Sequence, residues 1–423
     1  MNGQPRGPRL VGALLLLFSS GVTACILRAP TERGAATSAP GAMSDLPWVG
    51  TWACGLQLTE PSNNPPAPGL TNHTLRQVVL ASIGGGRLRL RLSNRYGNGP
   101  VTLQAVHVAR STGAGAIDVA TDRALTFAGK PEITIPAGRA AASDPLDFAL
   151  DPLTGLAVTI AFGGTPPAIT GHPGARATSY LMGGKRVSPS IAAAPPGTIT
   201  APHWYYLAGL DVLADAQTAS VAILGDSLTD GRGSTTDGDD RWPNDLSRRL
   251  HANAATAKVA VLNLGLGGNA VVDGGLGPPA IERFSSDVLE QPGLRWLVVL
   301  EGVNDIGRTG DPAVANQLIA AYGHFIDLAH ARGVQVYGVP ILPFGGSFYD
   351  SAAHQTARQT VNAWIRTSGR FDAVIDLDAA VRDPAHPERL RVAFDTGDQL
   401  HLNPAGYQAM ADAIDLALFE GPR

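Results

Sequence analysis

"SVAILGDSLTDG", residues 220–231, decides how this chain is to be read. Val221 to Leu224 are apolar at every position and run straight into Gly225, Asp226 and Ser227. A strand with no alternation is buried on both faces, which points to a parallel sheet covered by helices. Ser227 then falls just past the strand's carboxyl end, where open α/β sheets bind their ligands. The same residues also suit an ordinary strand-to-helix turn with no chemistry in it. The rest of the sequence has to separate these readings.

Downstream, four more runs have the same character: "KVAVLNLG" (258–265), "RWLVVLEG" (295–302), "VQVYGVPIL" (334–342) and "AVIDLD" (373–378). Helical periods lie between them. In "PAVANQLIAAYGHFIDLAHARG" (312–333) the spacing places Leu318, Ile319, Tyr322, Ile326 and Ala329 on one face, with Gly333 as the C-terminal stop. A last helix starts at Asn403 and Pro404, a good cap and first-turn pair, with Tyr407, Met410, Ala411, Ile414 and Ala417 inward. Alternating strand and helix over residues 216–423 predicts a doubly wound α/β domain.

Upstream, residues 47–215 read differently. "LRQVVLASI", "GRLRLRLSN", "VTLQAVHVA", "EITIPAG" and "LAVTIAF" are short runs separated by Gly, Pro, Asn and Asp. "RLRLRL" alternates as a half-solvated strand does. Regular spacing of such runs predicts a β-sandwich or jelly-roll-like domain. Residues 26–46 are rich in Ala, Gly, Ser, Thr and Pro and read as a flexible linker.

Residues 1–25 read as a targeting segment. Arg6 and Arg9 precede "LVGALLLLFSSGV", which is too short for a spanning helix. "VTAC" (22–25) is similar to a bacterial lipobox, in which Cys25 would be lipidated and anchor the protein to a membrane. An ordinary signal-peptidase cut is the other reading, so the protein is expected in the cell envelope, the periplasm or the medium. The chain has two cysteines, Cys25 and Cys54. Two cannot build a disulfide framework. Lipidation of Cys25 would leave Cys54 a lone thiol; otherwise the two could pair.

Composition excludes several functions. The 423 residues include 32 Lys and Arg against 36 Asp and Glu, with no dense basic run, so nothing points to nucleic acid. No Gly-Lys-Ser/Thr loop is present. His172, His203 and His354 are scattered without ligand spacing, so neither a metal nor a cofactor is expected.

Four stretches fall at strand or helix boundaries: "GDSLTDG" (225–231), "NLGLGGN" (263–269), "EGVNDIG" (301–307) and "DQLHLNP" (398–404). Each alone is explained by a turn or a cap. Together and in this order they resemble the sequence blocks of the SGNH, or GDSL, hydrolase superfamily, named for its Ser, Gly, Asn and His. The resemblance implies a flavodoxin-like three-layer domain and a serine esterase. "RWPNDL", "RFSSDVL", "RQTVNAWIR" and "IDLDAAVRDP", with "LRQVVLASIGGGRLRLRLSNRYG" upstream, resemble a bacterial branch with an extra N-terminal β domain. Where many relatives have Asp-x-x-His-Pro, this chain has Leu402 after His401.

Ester hydrolysis by a hydroxyl needs a base to activate it, and His401 is the candidate. Asp398, three residues earlier, would orient the ring and stabilise the imidazolium. The developing oxyanion needs aimed donors: the backbone N–H groups of Ser227 and Gly268 and the side-chain amide of Asn304. Asp226 is expected to hold the turn. The expected substrate is a short-chain acyl (acetyl) ester of carbohydrate, with a lipid ester as the alternative; Trp204, Tyr205 and Tyr206 are candidate sugar-stacking aromatics, although such a run is more often core or interface. A non-catalytic binding lipoprotein on the same fold is the reading from another class.

Overall fold

The computed structural model describes residues 46–187 and 191–420. The signal segment, the lipobox and Cys25 lie outside the described residues. Cys54 is buried and its thiol donates to the Leu207 carbonyl at 3.4 Å.

The five apolar runs form five parallel strands: Ala219–Gly225, Val259–Gly265, Leu294–Leu300, Gln335–Gly338 and Ala373–Val374. Their spatial order is second, first, third, fourth, fifth. That is the flavodoxin-like order, with its ligand crevice where the first and third strands diverge. The first strand delivers Ser227 to that crevice and the third delivers Asn304. Helices Trp242–Ala252, Val314–His330, Ala352–Thr367 and Pro404–Asp412 pack apolar faces onto the sheet's core.

Two face assignments need correction. Ile319 is only partly buried, because the inward stripe is Leu318, Ala321, Tyr322, Phe325, Ile326 and Ala329, and Ile319 lies at its outer edge. Ala417 is exposed, because the last helix stops at Asp412 and a short 3-10 turn, Leu416–Phe419, turns Phe419 inward instead.

The upstream region is antiparallel. One sheet orders Trp48–Ala53, Leu207–Leu213, Gly85–Ser93 and Leu146–Leu150; the other includes Ser179–Gly183, His73–Ala81, Thr154–Phe162 and Val101–Gly113. Leu88, Leu90 and Leu92 of the first share one apolar cluster with Val79, Val106 and Val158 of the second. The intervening Arg89 and Arg91 both reach the fully buried Asp211, at 2.8 and 3.0 Å. Trp204, Tyr205 and Tyr206 belong to this cluster and are at most 4% exposed, so their reading as stacking aromatics is corrected. Large rings dominate core burial, and these have no open face left for a ligand.

The β-rich region also covers an open edge. Val259–Gly265 is the last strand on one side of the parallel sheet. The Val261 N–H donates to Ser82 Oγ at 3.1 Å, and Ser82 Oγ–H donates to the Thr51 carbonyl at 2.6 Å. Gly50 N–H donates to Pro292 O at 2.9 Å across the same seam. Uncovered edges recruit other strands, so this contact removes an aggregation hazard. Among the described residues, no helix is long and apolar enough to cross a membrane.

Candidate active site

Ser227 opens a one-turn helix, Ser227–Asp230. Asp226 caps it, accepting from Leu228 N–H at 2.9 Å, and Gly231 ends it in the left-handed conformation at φ 99°. Burial pushes the Asp226 carboxyl up to about 7, against the pull of the Leu228 N–H and with the charges of Asp305 and Asp230 adding to the rise. Its expected role of holding the turn is the one its contacts perform.

His401 arrives from the far end of the chain. Its Nε2 lies 2.9 Å from Ser227 Oγ, and its Nδ1 lies 2.7 Å from Asp398 Oδ2. A carboxylate facing Nδ1 fixes the proton there, which leaves the Nε2 lone pair to accept from the serine hydroxyl. Burial holds the His401 pKa below the ordinary histidine value, and the nearby charges of Arg232 and Arg176 add to this, while Asp398 pulls it back up. The ring is therefore neutral near pH 7. Burial alone would raise Asp398, but the backbone and ring N–H groups of His401 outweigh it and hold the carboxyl at about 2.

The loop carrying these two residues takes the path that Leu402 demands. Asp398 Oδ1 accepts from the backbone N–H groups of Leu400 and His401 at 3.0 and 2.8 Å. Gln399 between them is held at φ 59°, a strained setting for a side-chain-bearing residue. Leu402 is fully buried and bridges to Asp395, so an apolar anchor stands where relatives have proline. Asn403 then caps the last helix, accepting from Gly406 N–H at 3.0 Å.

Gly268 and Asn304 face the same cleft as Ser227 and His401. Gly268 sits at φ 72°, which favours glycine. Among the described residues, neither Ser227 N–H nor Gly268 N–H has a protein acceptor. Asn304 follows Gly302, whose φ is 116°. The Asn304 amide donates one N–H to Asn269 O at 2.8 Å, and Tyr349 Oη–H donates to its Oδ1 at 3.0 Å. These two bonds set which way the amide points and leave its second N–H free.

Several supporting residues were not singled out from sequence. Arg283 is fully buried and donates to Asn269 Oδ1 at 2.9 Å, Leu264 O at 2.8 Å and Gly225 O at 3.2 Å. It thus ties the ends of the first and second strands to the residue that aims Asn304. Glu301 lies 3.7 Å from Arg283, and burial pushes its carboxyl far up despite that cation. Asn269 ends "NLGLGGN" and Arg283 opens "RFSSDVL", so both sat inside quoted stretches; Tyr349 had no such signal.

The cleft has a volume of about 270 Å³ and two different walls. The α/β domain lines it with the groups above, Arg232, Leu276 and Phe348. The β-rich region contributes Gln57, Glu60, Asn63 and Arg176. Gln57 and Asn63 both donate to Glu60, the latter at 2.9 Å, which fixes that carboxylate. A second, polar depression lined by Asp273, Arg308 and Gln317 meets the first at Asn304.

Solved structures with related folds include an acetyl xylan esterase from Geobacillus stearothermophilus, 20% identical, covering 48% of this chain and 97% of that one at a TM-score of 0.37. A GDSL-like lipase from Bacteroides thetaiotaomicron is also 20% identical, covering 48% and 91% at a TM-score of 0.34. No curated protein matches the chain. The model of the GDSL-like lipase/acylhydrolase family matches residues 223–409, and the chain carries a domain of that family.

Proposed function

We propose that this protein is a serine esterase that hydrolyses carboxylic esters through an acyl-enzyme on Ser227. His401 takes the Ser227 proton as Oγ attacks the ester carbonyl carbon. Asp398 holds the ring in the reactive tautomer and balances the imidazolium. The oxyanion is received by the N–H groups of Ser227, Gly268 and Asn304. His401 then gives its proton to the leaving alcohol, and water reverses the sequence to free the acid. The observation that carries this reading is the unbroken chain from Asp398 through His401 to Ser227, opening into a cleft with unused N–H donors.

The favoured substrates are short acyl esters on carbohydrate. Gln57, Glu60, Asn63, Arg232 and the depression beyond Asn304 supply polar partners for hydroxyl groups, and Phe348, 74% exposed at the rim, offers a ring face. Exposed Leu276 beside it favours the second reading, a lipid-directed esterase. An acyl-chain-length series on wild type and Ser227→Ala, together with deacetylation of acetylated xylan, tests both. Activity confined to long acyl chains would reject the carbohydrate reading, and no labelling of Ser227 by a fluorophosphonate would reject the esterase and leave a binding lipoprotein. We further propose export, with Cys25 as the anchoring position; mass spectrometry of the mature N-terminus reads this directly.

A further inference from the structure

The segment 170–176 of the β-rich region, "TGHPGAR", grips the helix that carries Ser227 at its last residue and its cap, and the next helix at its start. His172 Nε2 lies 2.9 Å from Asp230 Oδ1, and both side chains are at most 3% exposed. Arg176 Nε donates to Gly231 O at 2.6 Å, and its Nη2 lies 4.0 Å from Asp230 Oδ2. The Ala175 carbonyl accepts from Arg241 Nη2 at 2.6 Å, at the start of the next helix, Trp242–Ala252. Asp230 is one turn beyond Ser227 on the same four-residue helix.

The approach is close by construction. A Cβ on Gly174 would collide with the Asp230 carboxylate, at 1.9 Å from Oδ2, and one on Gly267 would crowd it at 3.3 Å from the other side. His172 is itself held. Its Nδ1 lies 2.8 Å from the Gly55 carbonyl, and its ring stacks on Trp204 at 5.5 Å and 25°. Nδ1 therefore donates to the carbonyl, which turns Nε2 toward Asp230. The Nε2 contact is short but not an aligned hydrogen bond, and neither Asp230 oxygen has an aligned donor among the described residues. The side chains that approach this buried carboxyl from the β-rich region are thus His172 at 2.9 Å and Arg176 at 4.0 Å. A helix of four residues has too few internal bonds to hold its own position.

We infer that His172, acting through Asp230, is a positioning residue for Ser227, so that the β-rich region is a working part of the hydrolytic machinery. The inference rests on the esterase reading for its consequence in turnover but not for its structural content. Displacing a nucleophile by about an ångström costs roughly 100-fold in rate.

The test uses the full chain carrying His172→Asn, Asp230→Asn, the double change, and Arg176→Met at a partly exposed position. Hydrogen exchange of the amides at 228–232 is the first readout and needs no activity. It is expected to rise at least about tenfold in His172→Asn and less in Arg176→Met, while the parallel strands stay protected. The second readout is turnover on a soluble aryl acetate. The expected result is a roughly 10–100-fold fall in kcat with little change in KM, and a double variant no slower than the slower single. Unchanged exchange at 228–232 in folded variants would overturn the inference, as would additive losses in the double. If His172→Asn fails to fold, Arg176→Met decides by the same exchange criterion. Wild type with no esterase activity but the expected exchange pattern would refute the proposed function and leave the strap standing.

Discussion

The α/β domain and the β-rich region build opposite walls of one cleft by different physical routes. In the α/β domain the site follows from topology. A parallel sheet in second-first-third order must open a crevice where its first and third strands part, and Ser227 and Asn304 lie two and four residues past those two ends. The β-rich region has no such constraint. Its cleft residues come from one short stretch, with Gln57, Glu60 and Asn63, and from the distant Arg176, both folded over the seam. The reacting groups are thus placed by the sheet, and the groups that meet the rest of the substrate by irregular chain.

The sharpest way to break that division is Ser227→Ala. Turnover should fall by about 10⁴-fold or more, while product-like polyol binding by the other wall persists. Calorimetry on the inactive variant checks the second half. Lost binding would mean that the two walls do not act separately. Asn304→Ala is the next largest, at roughly 10²–10³-fold in kcat with the fold intact. KM should stay near wild type, because the donor acts on charge that exists only in the transition state. A rate near wild type would remove Asn304 from the oxyanion role.

The same contrast governs what could be read before the structure was known. The five apolar runs were legible because burial on both faces leaves no alternation, and the four site stretches were legible because they sit at run boundaries. His172 was passed over as one of several scattered histidines; its partner Asp230 lies in a different region, and no local period links them. Trp204 to Tyr206 were open to two readings for a related reason. Three consecutive aromatics suit a platform as well as a core, and only the second sheet closing over them decides. Ile319 and Ala417 were misplaced by extending a helical period past what the neighbours cover. Tyr349 lies in a stretch without regular structure, 45 residues from the Asn304 amide it orients.

Ser82→Ala tests the seam itself at a smaller scale. It strands the Val261 N–H, which is buried along the edge of the parallel sheet. An orphaned buried donor costs about 1–3 kcal/mol, so the urea midpoint should drop with kcat of the folded enzyme unchanged. A loss of kcat without a loss of stability would show that the seam transmits more than support.

The smallest effect concerns the base, because each wall places one guanidinium where it acts on His401: Arg232 from the α/β domain and Arg176 from the β-rich region. A nearby positive charge disfavours the imidazolium, so both hold the His401 pKa down. Activity in kcat/KM requires the neutral ring and is lost as pH falls through that pKa. Removing Arg232 raises it, so the acid limb should move to higher pH in Arg232→Ala, by roughly a few tenths of a unit because Arg232 is exposed and water screens it. Raising the salt should move wild type in the same direction and narrow the gap between the two profiles. A gap that ignores salt would mean that Arg232 acts by contact instead of charge, and the sharing of the field between the two walls would then fail.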